Sequence, residues 1–390
     1  MAAACGWAAD ALSSGASSLR PTSLSWEPVS LPIPGTPADA ALNDVSCTPT
    51  AFCMAVGWWG KGEDYSAALV ETWDGMRWSV ERSPVPGSDG LLSVSCASPM
   101  ACVAVGLGTG LSANVVDSWN GRKWESMRLP RLGLPSRPEY LQHVSCVSTR
   151  NCVAVGSAGS KQTLIEAWNG QRWHLEPSPS RAEPGRHGGN SLEAVSCSSP
   201  RRCIAIGSSF NFQTAWTLVE SWNGARWSIV PSASGRYGTE LDGLASVACA
   251  SASDCLLVGD SIAWEDWEAG LAEHWNGRRS SVVDIPRLEP SQPAMGFQAG
   301  LSGVSCVSAS DCVAVGGIGS FGGANAPVVE RWDGSRWSTV SPERGRTTRG
   351  QRPLSAVSCV GESHFCMAVG NDGRFGGSGN GANAVRIVVD

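Results

Sequence analysis

Lysine is almost missing from this chain: Lys61, Lys123 and Lys161 are its three among 390 residues. Charged residues of every kind make up 16%, and the formal net charge is -6. Neutralising a phosphate backbone takes a basic excess, so this balance argues against a nucleic-acid binder. No apolar run approaches the ~18 to 20 residues that a membrane-spanning helix needs. Tyrosine (3) and histidine (5) are also sparse. An apolar share of 42% excludes wholesale disorder. The abundant residues are 46 glycines, 18 tryptophans and 15 cysteines. At ~150 residues per domain, the length alone would suggest two or three domains.

Internal repetition changes that estimate. The pattern Val45-Ser46-Cys47, five residues, then Cys53-Met54-Ala55-Val56-Gly57 occurs in seven related copies, six with five residues between the cysteines and the last with six. The first cysteines are Cys47, Cys96, Cys146, Cys197, Cys249, Cys306 and Cys359. Their partners in the pattern are Cys53, Cys102, Cys152, Cys203, Cys255, Cys312 and Cys366. Successive first cysteines lie 49 to 57 residues apart. A second element, Glu71-Thr72-Trp73-Asp74-Gly75-Met76-Arg77-Trp78, follows the first pair and recurs after the next five. The copy at Glu273 to Ser280 loses its second tryptophan.

Each unit reads as four short strands, a to d. Strand a ends at the first cysteine. Strand b is the apolar, β-branched Cys-Val-Ala-Val-Gly type of segment. Strand c ends at the first tryptophan. Asn-Gly or Asp-Gly then turns the chain, a strong hairpin signal because both residues tolerate positive φ. Strand d carries the second tryptophan and stops near a proline. Four strands per ~50 residues predict an all-β, seven-bladed β-propeller with antiparallel blades. The C-terminal repeat ends before its strand d, and Leu24-Ser25-Trp26-Glu27-Pro28-Val29 supplies one. The expected domains are a leader at 1–23 and a single propeller at 24–390. Blade 7 is split between 24–31 and 355–390, which closes the ring and removes open sheet edges.

The Ala-Val-Gly ending of strand b, the Trp-Asp/Asn turn, and the next Trp with a Pro beyond it carry a resemblance. The repeat resembles kelch-type propellers, including the propeller domain of galactose-oxidase-like proteins, over roughly residues 24 to 390. The doubled glycine usual in kelch blades stands only at Gly316-Gly317. The cysteine pairs are more similar to repeat propellers of exported bacterial proteins. The resemblance implies blade topology and no activity. Copper chemistry does not carry over: Tyr65, Tyr140 and Tyr237 have no matching histidine pair. No cofactor or metal is expected.

Each cysteine pair brackets one hairpin turn. Residues opposed in a non-hydrogen-bonded antiparallel pair lie ~4.5 Å apart, within disulfide reach. Seven bridges are expected, each stabilising by ~2 kcal/mol in the chain-entropy model. Such a set belongs to an oxidising, extracytoplasmic compartment. The odd residue is Cys5. Met1-Ala2-Ala3-Ala4-Cys5-Gly6 is similar to the end of a bacterial lipoprotein signal, so Cys5 is a candidate lipid anchor on a Ser/Gly/Ala tether.

Groups present in every blade read as scaffold. These include the tryptophan pairs. They also include an acid two residues before the first tryptophan (Glu71, Asp117, Glu166, Glu220, Glu273, Glu330). A basic residue accompanies it in each turn (Arg77, Lys123, Arg172, Arg226, Arg279, Arg336), and the two are expected to ion-pair on the outer hairpin. Function is expected where blades differ, on the face of the long d–a and b–c connections. The ligand-binding candidates there are Trp58, Trp59, Tyr65, Phe212, Trp264, Asp266 and Trp267. Glu63, Asp64, Phe210, Trp216, Glu265 and Glu268 stand beside them. Asp44 and His143 are the ionisable residues expected at the channel mouth. Aromatic rings beside carboxylates suit sugar stacking or a protein hot spot.

The leading expectation is a monomeric, extracytoplasmic propeller that binds carbohydrate or protein without catalysis. The alternatives are a carbohydrate-active enzyme, with loop carboxylates as its acid and base, and an assembly scaffold. Alkylation and mass spectrometry before and after reduction are expected to count seven bridges; a native protein whose cysteines all alkylate without reductant would overturn the compartment assignment.

Overall fold

In all seven repeats the apolar segment that includes the second cysteine runs antiparallel to the segment that carries the first. The computed structural model describes residues 24–32, 39–60, 66–81, 88–108, 114–130, 139–159, 162–180, 188–211, 214–233, 241–263, 267–286, 297–320, 326–340, 353–361, 365–370 and 382–389. In blade 1 the strands are Asp39–Cys47, Cys53–Gly60, Ser66–Trp73 and Trp78–Glu81, paired in that order. Blades 2 to 6 repeat the a-b-c-d order. Blade 7 takes Ala356–Val360, Phe365–Gly370 and Asn383–Val389 from the C-terminal end. Its fourth strand is Leu24–Val29, with Trp26 opposite Ile387. The ring therefore closes as the sequence suggests. Glu27 and Arg386 add an ion pair across the closing strands.

The apolar core is divided into seven clusters, one at each interface between neighbouring blades. Met54, Val56 and Val70 of blade 1 meet Leu91, Val94 and Ala104 of blade 2. Val155 and Ile165 of blade 3 meet Leu192, Val195 and Leu218 of blade 4. Strand b is apolar on both faces because each face is buried against a different neighbour. A blade alone would leave both faces wet, so the ring is the folding unit.

Strand a is innermost, and one of its edges faces the channel with no strand beside it. The cysteines sit directly opposite each other, with Cα atoms 4.0 Å apart in all seven bridges. That short spacing marks non-hydrogen-bonded pairs. The first cysteine's amide therefore points to the free edge. The serine before the first cysteine of the preceding blade receives it. Cys96 N donates to Ser46 Oγ (2.9 Å), Cys146 N to Ser95 (2.9 Å), and Cys197 N to Ser145 (3.1 Å). Cys249 N donates to Ser196 (3.1 Å), Cys359 N to Ser305 (3.0 Å), and Cys47 N to Ser358 across the closure (2.9 Å). The series breaks once, where Ala248 faces Cys306.

A register shift precedes the cysteine motif in strand a of blades 1 to 6, at Leu42/Asp44 in blade 1 and Leu301/Gly303 in blade 6. The bulge bends strand a towards strand b. A Cβ on Gly57 would lie 1.9 Å from the carbonyl oxygen of Ala41, and on Gly156 1.8 Å from that of Tyr140. The glycine of Ala-Val-Gly is required by this close approach.

The c–d turn departs from the expected geometry. In blade 1 Gly75 has φ +99°, whereas Asp74 is not left-handed. Asp74 instead accepts the amides of Met76 and Arg77 on Oδ1, both at 2.9 Å. Positive φ at the first central residue alone is the type II′ pattern, with the Asp or Asn side chain as a cap.

The tryptophan pairs are packing residues. Their ring centroids lie 5.5 to 5.9 Å apart in blades 1 to 4 and 6. The strand-c indole usually donates to a carbonyl of its own a–b turn, as Trp119 does to Pro99 at 3.2 Å. Ala248→Ser should add the missing seam bond and raise the urea midpoint, by ~1 kcal/mol of stability. Ser95→Ala leaves the Cys146 amide unpaired and should cost ~1–3 kcal/mol. Equal and small effects of both substitutions would count against the seam bonds.

Candidate functional site

The seven a strands surround a cavity of about 340 Å³. It reaches from Asn43, Gln142, Glu193 and Ser302 at the bulges to Cys249 and Cys306 at the turns. At ~30 Å³ per water this is room for about ten water molecules. Much of the lining is hydroxyl, including Ser95, Ser145, Ser196, Ser246 and Ser305. Asp44, His143 and Glu193 are its ionisable residues among those described.

Asp44 and His143 lie inside the channel, and each takes part in a second seam between blades. Asp44 Oδ2 accepts the Val94 amide at 2.9 Å and the Ser93 hydroxyl at 2.7 Å. Ser93 Oγ in turn accepts the Val144 amide at 3.2 Å. His143 Nδ1 accepts the Val195 amide at 3.4 Å. Ser246 does the same for Val304 at 3.2 Å. All four occupy the position three before the first cysteine, which is Ala194, Gly303 and Ala356 in the other blades. Burial raises the Asp44 pKa, opposed by the nearby His143 and by hydrogen bonds from Ser93, Val94 and Val45. Burial lowers that of His143, opposed by Asp44.

An Asp, a Ser and a His in adjacent blades suggest a nucleophile triad, but the roles do not match. Ser93 gives its proton directly to Asp44, and His143 Nδ1 is occupied by an amide. A triad needs the histidine between the serine and the acid. The sequence pattern singled out the two ionisable members of this row and missed Ser93, because a serine there looks like filler until the neighbouring amide is seen.

The repeated acids do not pair with the turn cations. Glu71, Asp117, Glu166, Glu220, Glu273 and Glu330 are all fully buried. The basic residues sit at exposed turn tips, with Arg77 on Asp74 and Arg336 on Asp333. The acids find hydroxyls instead. Asp117 accepts from Ser126 (2.7 Å) and Glu330 from Thr339 (2.8 Å), each across its own c–d hairpin. Glu220 and Glu273 accept from Ser178 (3.0 Å) and Ser232 (3.2 Å) of the preceding blade. Glu71 and Glu166 have no hydrogen-bond partner among the described residues. Burial pushes the pKa of Glu71, Glu166 and Glu220 up to about 8 and that of Glu330 to about 7. Sealed between blades, these carboxyls are not a glycosidase pair.

Trp58 and Trp59 end strand b of blade 1 and are half-buried. Trp59 packs on the core shared by blades 7 and 1. Trp58 lies against Gly90 of blade 2, whose Cβ would approach it to 2.9 Å. Both therefore contribute packing as well as surface. Phe210 and Trp216 are half-buried at the matching ends of blade 4. Trp267 and Glu268 open strand c of blade 5. Glu63, Asp64, Tyr65, Phe212, Trp264, Glu265 and Asp266 lie outside the described residues, as do Cys5 and most of the d–a and b–c connections. Blade 5 adds one carboxylate pair that the sequence reading passed over. Burial and then the Asp242 charge raise the pKa of Asp260, and Ser261 donates to Asp242 at 2.6 Å. Among the described residues, no three His, Cys, Asp or Glu side chains converge as metal ligands do. No helix is long and apolar enough to cross a membrane.

No family model and no curated protein matches the chain. Solved structures do. The chain is similar to the one described as "YCF48 bound to D1 peptide", at 13% identity and TM-score 0.55, over 94% of this chain and 96% of the other. It is also similar to the GH74 xyloglucanase of Xanthomonas campestris, at 16% identity and TM-score 0.53, over 90% of this chain but 53% of the enzyme. At these identities the likeness is one of propeller fold. The kelch resemblance stays at that level.

The buried acids set a pH dependence. At pH well below the ordinary glutamate value of 4.5 they are protonated in both states. As pH rises towards 8, the unfolded chain ionises while the folded protein holds its protons. Stability should therefore fall between about pH 4.5 and about pH 8. Glu71→Gln and Glu166→Gln should flatten that slope, each gaining roughly 1–3 kcal/mol at pH 8. Urea midpoints that do not change with pH in the parent protein would refute the assignment.

Proposed function

We propose that the protein is an exported binding module. It takes a polypeptide or carbohydrate ligand on the face of the d–a and b–c connections, with no chemistry of its own. One observation carries the reading: Asp44 and His143, which line the channel, are engaged in holding blades together. Asp44 and His143 accept backbone amides from the next blade, and the strand-c acids are sealed at the interfaces. What is left to vary between blades is the connections, with Trp58, Trp59 and Trp267 at strand ends leading into them. Seven disulfides support an oxidising, extracytoplasmic setting. The likeness to a propeller bound to a peptide, which spans 94% of this chain and 96% of the other, supports a polypeptide ligand over a glycan.

A second reading rests on Asp242 and Asp260. Asp260, whose pKa is raised by burial and then by the Asp242 charge, lies near Glu265, Asp266 and Glu268 in sequence, and such a set of carboxylates would serve a carbohydrate-active enzyme. Its mark would be glycan cleavage lost in Asp260→Asn. For the binding reading, the full chain is to be screened on peptide and glycan arrays. Trp264→Ala and Trp58→Ala should each weaken the selected ligand at least tenfold. Unchanged affinity in both would remove the site from this face.

A further inference from the structure

The opposite face, built from the a–b and c–d turns, has a charge pattern unlike that of the whole chain. In each of blades 2 to 6 the tip of the a–b turn lies over the glycine of the c–d turn. Met100 covers Gly121, Arg150 covers Gly170 and Arg201 covers Gly224. Ser253 and Ser310 do so at Gly277 and Gly334. The two turns thus form one continuous surface. Blade 2 exposes Arg122 and Lys123 on it, and blade 3 Arg150 and Arg172. Blade 4 exposes Arg201, Arg202 and Arg226, and blade 5 Arg278 and Arg279.

The turn cap decides whether these charges are answered. In blades 1 and 6 the cap is Asp74 or Asp333, which pairs with its own Arg77 (3.8 Å) or Arg336 (3.3 Å). In blades 2 to 5 the cap is Asn120, Asn169, Asn223 or Asn276. Each asparagine accepts the same two amides, at 2.9 to 3.1 Å, and brings no charge. Of the nine cations named, only Lys123 has an ion-pair partner among the described residues, Glu125 at 2.7 Å. The result is an arc of arginine across four consecutive blades. Met76 and Met100, 84% and 58% exposed, stand at its blade 1–2 end.

We propose that this turn face docks on an anionic phospholipid surface. The cations are spread in two dimensions over short turns of uniform length, so a planar array of headgroups meets them together. A linear polyanion would meet only those along its path. Guanidinium forks suit phosphate oxygens, and the two exposed thioethers add apolar area at the interface. The ligand face lies on the other side of the ring, so the two proposals stand or fall separately.

The test uses the full chain without any attached lipid, sedimented with phosphatidylcholine vesicles alone or with about one-third phosphatidylglycerol. Binding is expected only to the anionic vesicles, and should weaken as salt shortens the ~10 Å Debye length of 0.1 M solution. Replacing Asn120, Asn169, Asn223 and Asn276 with Asp copies the caps of blades 1 and 6. It should preserve melting behaviour and weaken vesicle binding at least tenfold. Should that variant melt early, Arg172→Gln with Arg226→Gln and Arg279→Gln provides the same readout from exposed side chains. No binding to anionic vesicles, equal binding to neutral ones, or binding indifferent to both variants would overturn the proposal. So would tighter binding to heparin or an oligonucleotide than to the vesicles, which would assign the face to a soluble polyanion.

Discussion

The inner edge of each blade is the constraint that organises this molecule. Strand a borders an open channel, so half of its amides have no strand to bond. Unpaired and buried, each would cost ~1–3 kcal/mol. The preceding blade supplies acceptors from side chains: serine one residue before the cysteine, and Asp44, Ser93, His143 or Ser246 two residues earlier. Because the acceptor belongs to the neighbour, the bonds hold blade to blade as well as saturating an edge. The same geometry turns the cysteines into a close, non-hydrogen-bonded pair that a bridge can span. Val-Ser-Cys is thus one device, with valine in the interface core, serine at the seam and cysteine in the staple.

A second device sits further from the axis. A carboxyl is buried in each of blades 1 to 6, where ionising it is costly, and burial raises its pKa. Its partners follow from the residues that can reach it. Ser126 and Thr339 face Asp117 and Glu330 across the hairpin. Ser178 and Ser232 reach Glu220 and Glu273 from the neighbouring blade. Glu71 and Glu166 face Val80 and Leu175 instead, and remain unpartnered.

Much of the frame was legible in the sequence because periodic spacing is a direct record of blade number, strand order and ring closure. Cysteines in register report a cross-strand pair without any coordinates. The acid–base reading failed for a clear reason. Glu71 and Arg77 are close in sequence, yet the turn between them carries the arginine out to solvent while strand pairing turns the glutamate inward. The bulge in strand a was invisible, since it is fixed by backbone crowding at Gly57 and its equivalents rather than by a residue type at the bulge. Asn43, Leu92 and Gln142 occupy that position with no common chemistry. Of the ligand candidates, Trp58 and Trp59 proved partly structural because strand ends in a propeller abut the blades on either side.

A repeat protein separates its residues by how often they recur, but recurrence alone misjudges Asp44 and His143. Each occurs once at its position, which looks like specialisation. Each nevertheless does what Ser93 and Ser246 do, accepting one amide from the next blade. A unique residue in a repeat is therefore evidence of function only after its repeat-equivalent duty has been subtracted. Applied to the turns, the same subtraction gives the opposite result. Asn and Asp cap the c–d turn equally well, so the cap's geometry does not choose between them. What differs is the charge left on the arginines beside them, and that difference is grouped in four consecutive blades rather than scattered around the ring.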